Sequence, residues 1–423
     1  MTGQANERSK AAGLVPVGLL GAAGFIVTAD ARVINPLLDI IAREFKSDIG
    51  STGFIVTAYT IPYGLFQLVY GPLGDKLGKL KIMTVAMALF AVGTAICAFA
   101  PDLLILNLLR FLTGVAAAAM IPMSLAYIGD NFPYQERQAA IGQFVGAVAL
   151  GNILSTSMGG IVGDFLNWRL IFLLYGLVSL GIFWLLWQAS RKATPPPLNP
   201  QRAEGLRAYF RPYAQLLTKL STRIVIIAVF IEGVFFFGGF AYLGAFLRHK
   251  YDLAYVVIGF MLSGFGIGSL IYSRSVRWLV GKFGESGLIR VGGWICFGSY
   301  LVIALLEYWP LFIPMCIILG LSYYMLHSTL QTKATEMSPG ARGTAVSLFA
   351  FSLFLGQGIG AALIGLVVDG PGYEAAFIIS GAGMAGLAVW FVRESRRFPP
   401  SSSQAETSLV KANEAQSSVA ISE

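Results

Sequence analysis

Twelve apolar stretches, each long enough to cross a lipid bilayer, set what this chain can become. They fall at 13–36, 51–72, 82–100, 103–128, 140–163, 169–189, 223–247, 254–273, 288–306, 310–331, 344–368 and 375–392, numbered below as spans 1 to 12. A helical crossing needs about 20 apolar residues. With no water to bond to, a spanning backbone must satisfy itself as a helix or a closed barrel. The residue-by-residue alternation of a membrane barrel is absent. The expectation is an all-α integral membrane protein. Of its 423 residues, 12% are charged and 56% hydrophobic, about half the charge that covers a typical soluble domain. That excludes a soluble enzyme, a disordered chain, a coiled coil and a disulfide scaffold. What twelve spans leave over is too short for a large extramembrane domain.

Lysine and arginine give the orientation. With the N-terminus inside, 23 of the 30 basic residues fall on inside segments and 5 on outside ones (Arg43, Lys46, Arg169, Arg248, Lys250). Arg32 and Arg110 lie within spans. Basic residues collect on the cytoplasmic side, so a multi-pass protein of the cell membrane with both termini cytoplasmic is expected. The net charge of +8 then needs no nucleic-acid partner. The apolar run from Ala12 to Leu37 is too long for a signal-peptide core and reads as a retained first span. The expected organisation is a cytoplasmic N-terminus (1–12), a six-helix bundle (13–189), a cytoplasmic linker (190–222), a second six-helix bundle (223–392) and a disordered cytoplasmic tail (393–423). The linker carries Pro195, Pro196, Pro197 and Pro200 before a basic stretch.

The two halves repeat at an offset of about 205 residues. Gly160, Val162 and Asp164 match Gly365, Val367 and Asp369; Gly151-Asn152 matches Gly356-Gln357; Trp168, Phe172 and Gly176 match Tyr373, Phe377 and Gly381; Gly78 matches Gly284. One constant shift over several motifs implies two parallel six-helix repeats about an axis along the membrane normal. Transporters use such repeats, with the solute site between halves near the midplane.

The loop between spans 2 and 3 reads Gly71-Pro72-Leu73-Gly74-Asp75-Lys76-Leu77-Gly78-Lys79-Leu80-Lys81. It resembles the G-x-L-x-D-R-x-G-R-K loop of the major facilitator superfamily. Span 4 carries Arg110-Phe111-Leu112-Thr113-Gly114-Val115-Ala116-Ala117, similar to the superfamily's R-x-x-Q-G-x-G-A motif with Thr113 in place of glutamine. The resemblance covers about residues 12–395. It implies a twelve-helix fold of two pseudo-symmetric halves, with spans 1, 4, 7 and 10 lining a central cavity. It also implies a cytoplasmic latch built on Gly71, Asp75, Lys76, Gly78 and Lys79. The second-half copy, Gly281-Lys282-Phe283-Gly284, has Gly281 where an acid would sit, so the latch is expected on one side only. Bacterial drug or metabolite efflux proteins look most similar, although the G-P-x-x-G-G motif of drug:proton antiporters survives in span 5 only as Gly159-Gly160.

Charged groups inside spans are expensive, which makes them functional candidates. Asp30 and Arg110 lie at similar depths and are, like Glu232 and His327, candidates for proton coupling; Arg32 competes with Arg110 as the partner of Asp30. Glu232 sits near the midplane of span 7 with no base within four positions. An unpaired carboxyl there is expected to rest protonated, which suits a proton carrier, a cation-binding acid or an interhelical hydrogen bond. Phe235 and Phe236, at i+3 and i+4, are expected to share its face as an aromatic wall. His327 is a candidate proton relay and forms an i, i+4 pair with Gln331, after Tyr323 and Tyr324. Asn152 and Gln357 are candidates for solute contact or helix packing.

Cys97, Cys296 and Cys316 lie in apolar segments without a C-x-x-C pair, and there are two histidines. No metal set, zinc site or intramembrane protease motif is present, and no nucleotide-phosphate loop. No cofactor is therefore expected, nor an enzyme. The expected function is a secondary transporter, working as a monomer. It would export a small, partly apolar drug or metabolite with protons as co-ion. Nutrient uptake by the same fold is the alternative, and a non-transporting membrane sensor a remote one.

Overall fold

The computed structural model describes residues 15–192, 206–336 and 342–395. Eleven helical segments among them are long and apolar enough to cross a membrane. One of these, Tyr255–Leu305, has 51 residues, about 77 Å at 1.5 Å per residue, more than twice the hydrocarbon thickness of a bilayer. It is broken at Gly284, whose φ of 64° and ψ of 172° are not helical. Residues on both sides of the break meet the same helix, Phe312–Glu336. Tyr272 hydrogen-bonds Ser328 before it, and Cys296 lies 3.1 Å from Ser322 after it. The segment therefore folds back on itself as spans 8 and 9, and the count is twelve.

The other spans follow the sequence windows with longer ends. Span 1 runs Val17–Phe45, through a short tight turn at Asn35–Leu37. The rest are Ile49–Leu77, Lys79–Cys97, Leu103–Asn131, Tyr134–Phe165 and Arg169–Lys192 for spans 2 to 6. Leu220–Tyr251, Phe312–Glu336, Arg342–Asp369 and Tyr373–Ser395 are spans 7 and 10 to 12. Residues 274–283, outside the sequence windows, stay helical because a single glycine makes the whole reversal. Gly78, its counterpart between spans 2 and 3, also has positive φ, 90°. Only glycine adopts such angles without steric cost, so the repeat reaches the backbone.

Part of the proline-rich linker (193–205) and the tail beyond 395 lie outside the described residues. Within the remaining linker, Leu206–Thr218 forms a helix. It buries Tyr213 and Leu216 on one side while Arg211 stays exposed.

One apolar core is built mainly from spans 1 to 6 and continues into the second half through Ala241, Tyr242, Ala361, Ile364, Val368 and Ala376; another lies mainly within spans 7 to 12. Outside these cores many large apolar side chains stay exposed, among them Leu89, Phe99, Leu104 and Leu366. Lipid is as apolar as leucine, so such exposure carries no penalty in a bilayer.

The ends of spans 2 and 8 decide how the halves meet. Call the face bearing connections 46–48, 252–254 and 370–372 the far face, and the opposite one, bearing Lys192 and the Leu206–Thr218 helix, the linker face. At the far face Asp369 Oδ1 accepts the N–H of Gly50 at 2.7 Å, and Asp164 Oδ2 accepts the N–H of Val256 at 2.6 Å. Each aspartate ends a span of one half and caps the first turn of a span of the other. Helix N-termini carry bare N–H groups and partial positive charge, so a carboxylate there is well placed. The backbones close in beneath both caps. A side chain at Gly160 would strike the backbone of Tyr255, and one at Gly50 the backbone of Gly365. Asp164 and Asp369, like Gly160 and Gly365, are the pairs the 205-residue repeat matched. Tyr255 donates to Asp39 at 2.6 Å and Thr57 to the carbonyl of Gly358 at 2.7 Å, again across the halves.

The described ion pairs at the linker face stay within one half. Lys79 meets Asp130, and Lys333 lies 2.6 Å from Glu285. They occupy equivalent places, the start of span 3 or 9 and the end of span 4 or 10, with the charges exchanged.

The double variant Asp164→Ala, Asp369→Ala should loosen the far face. Each charge-assisted bond lost is worth about 1.5–3 kcal/mol. Spin labels at Asp48 and Ala254 should then give a longer, broader distance distribution than in the wild type. An unchanged distribution would mean that apolar packing alone holds the face shut.

Candidate functional site

Charge in the middle of the first half is settled by one ion pair. Arg110 donates from NH1 to Asp30 Oδ2 at 2.6 Å and from NH2 to the Asp30 carbonyl at 3.2 Å. Both side chains are buried. The guanidinium also lies over the Tyr59 ring, 4.2 Å from its centroid, and the Tyr59 hydroxyl donates to the carbonyl of Val27. Of the two arginines that compete for Asp30, Arg110 is its partner.

Arg32 turns elsewhere. Its Nε donates to Asn152 Oδ1 at 3.4 Å, and its guanidinium sits 4.3 Å from the centroid of Phe237 in the second half. Tyr63, Tyr323 and Tyr324 lie within electrostatic reach of it. Asn152 is thus engaged by a cation of its own half.

The second half has its own buried pair between its first and fourth spans. Glu232 Oε2 and His327 Nδ1 lie 3.1 Å apart. Glu232 is fully buried, and 12% of the His327 side chain is exposed, so the imidazole is the pair's route to water. The second carboxyl oxygen of Glu232 has no hydrogen-bond partner. Sequence reading left Glu232 unpaired because it searched only the same helix; the partner stands on span 10. The expected pairing of His327 with Gln331 does not form. Gln331 is exposed, while the His327 ring stacks on Tyr323 at 4.9 Å and 15°.

The aromatic wall also differs from expectation, for a local reason. Residues Gly233–Phe237 form a π-helical turn, in which hydrogen bonds run i to i+5 and the side-chain register slips. The Phe235 ring lies against Gly383 of span 12. Phe236 is buried in the second core beside Phe240, Phe265, Tyr300 and Tyr323. Phe237, at i+5 from Glu232, is the ring that reaches across to Arg32. A glycine followed by bulky aromatics is the one sequence signal that accompanies this turn.

Gln357 is buried, and its side-chain oxygen has no partner. The latch motif is described in part. Lys76 is exposed and Lys79 pairs with Asp130 of its own half; the side chain of Asp75 lies outside the described residues. Tyr59 and Tyr63, one helical turn apart on span 2, were missed in the sequence because tyrosines in apolar windows are too common to mark a site. No group of three or more metal-ligating side chains occurs among the described residues. Beyond the clamp, on the far face, lies a cavity of about 440 Å³ lined by Asp39, Arg43, His249, Asp369 and Tyr373 among others. It holds none of the central residues.

Breaking one partner of a buried ion pair costs about 3–5 kcal/mol, because the survivor is left charged and unpaired. Asp30→Asn and Arg110→Met should therefore each lower the melting temperature in detergent, and the double variant should recover much of the loss. Equal, additive losses would show that the two side chains act independently.

A family model described as the Major Facilitator Superfamily matches residues 20–354. The chain is 25% identical over 351 residues to an uncharacterised MFS-type transporter of Bacillus subtilis (strain 168), YceJ, covering 81% of this chain and 86% of that one. With another such transporter of that organism, YwfA, it is 28% identical over 368 residues, 85% of this chain and 86% of that one. Among solved structures, a bacterial homologue of the human lysosomal transporter Spinster matches with a TM-score of 0.69 at 18% identity, over 91% of this chain and 98% of that one. The nucleoside transporter NupG matches with 0.71 at 14%, over 90% and 99%.

Proposed function

The chain belongs to the major facilitator superfamily of transporters, and on that footing we propose that it exports a small, partly apolar solute in exchange for protons. The observation that carries the proton is the Glu232–His327 pair. Two titratable groups share one hydrogen bond, sealed on the carboxyl side and open to water only through the imidazole. With one proton between them the pair is neutral overall, whichever group holds it. A second proton makes it positive and a lost proton makes it negative. Either charged state is costly in apolar surroundings, so a change of load favours a change of conformation. In the Asp30–Arg110 pair only the carboxylate can take a proton, and that would leave the buried Arg110 charged and unpaired; its role in this reading is structural.

The two halves then rock about the central residues. The clamp of Asp164 and Asp369 holds the far face shut in the described state. The concentration of basic residues near the linker face supports a cytoplasmic position for it, and the cell membrane as the site of action.

The test uses full-length protein in liposomes with an interior pH dye and an acid interior. A solute that draws protons out in the wild type is expected to draw none in Glu232→Gln, while labelled solute still exchanges. Asp30→Asn, if it folds, should keep the coupling. Solute crossing without proton movement in the wild type would sink the coupling. Solute and protons moving in the same direction would make the protein an uptake carrier.

A further inference from the structure

We propose that Arg32 is the anchor for an anionic group of the solute, and that the solute is an aromatic carboxylate. This deepens the transport reading above and rests on it for the location of the solute path. Three features at the meeting of the halves support it.

The first is a cation without a counter-ion. Among the described residues, the hydrogen bond recorded for Arg32 is the one from Nε to Asn152, and no carboxylate stands within ion-pair distance of it. The acids nearest in sequence or function are committed elsewhere, Asp30 to Arg110 and Glu232 to His327. A charged group at this depth is expensive unless it is paired. Arg32 is half-buried, and among the described residues its terminal nitrogens make no hydrogen bond.

The second is shape. The guanidinium presents two parallel N–H donors that match the two oxygens of a carboxylate. Asn152 fixes the stem through Nε, which leaves that fork free. Phe237 covers the group at 4.3 Å and keeps it from swinging into the second half.

The third is the surroundings. Phe237 and Tyr323 meet edge to face at 5.3 Å, and Tyr323 and Tyr324 at 5.1 Å. Phe237 faces the cation, and Tyr323 and Tyr324 continue that aromatic surface in the second half. Aromatic rings receive another ring edge-on or offset. An aliphatic acid would gain the charge contact alone, whereas an aryl acid gains both.

The experiment is equilibrium binding to purified full-length protein in detergent, with no ion gradient. Labelled benzoate, 4-hydroxybenzoate and 1-naphthoate are the probes. Benzamide, benzylamine and acetate are the competitors, lacking in turn the charge, its sign and the ring. At least one aryl carboxylate should bind saturably and resist all three competitors. Losing a bidentate charged contact should weaken binding about 10- to 100-fold in Arg32→Gln. Arg32→Lys, which keeps the charge without the fork, should fall between. Should Arg32→Gln fail to fold, Arg32→Lys and the competitor series decide. The proposal is overturned if no aryl carboxylate binds, if benzamide or benzylamine competes equally, or if the Arg32 variants bind like the wild type. Because no gradient is present, such a failure leaves proton coupling standing, and a failure of coupling leaves the anchor standing.

Discussion

Two helical bundles in lipid gain little by hiding apolar surface from each other, because the lipid is as apolar as they are. Close backbone approach and polar bonds therefore add specific contact between the halves to the apolar packing of Tyr242, Ala361 and Ile364 against the first half. That constraint explains why the far-face junction is built of Gly160, Gly259, Gly365 and Gly50 under two aspartate caps. The same constraint leaves the caps open to exchange. A carboxylate on a helix N-terminus can be exchanged for water once the ends part, at modest cost, whereas an interlocked apolar seam cannot.

The same solvent forces every interior charge to declare a partner, and the protein uses three different solutions. Arg110 and Asp30 neutralise each other within one half. Glu232 and His327 neutralise each other in a way that depends on proton number. Arg32 is held only by an amide and an aromatic face. One pair lies within the first half, one within the second, and the cation without a counter-ion at their junction.

Fold was far more legible in the sequence than chemistry. Span count rests on composition summed over long windows, and the two halves on one repeated offset, so single-residue errors average out. The repeat even contained the clamp, since Asp164 and Asp369 were matched before their partners were known. Pairings between helices were beyond reach, because His327 and Glu232 are 95 positions apart with nothing local to join them. The aromatic wall was misplaced for a subtler reason. Helical spacing is a rule about α-turns, and Gly233–Phe237 is not one. Where the backbone departs from the period, every inference built on that period moves to the wrong face.

The reversal at Gly284 has a mechanical meaning. Spans 8 and 9 are joined by one glycine with no other atoms crowding the place of a side chain, and Glu285, immediately after it, is tied to Lys333 at the end of span 10. There is no slack loop to absorb a tilt. When span 8 swings away from Asp164, the joint works as a short crank. The swing passes straight into span 9, and from there into the helix that carries His327.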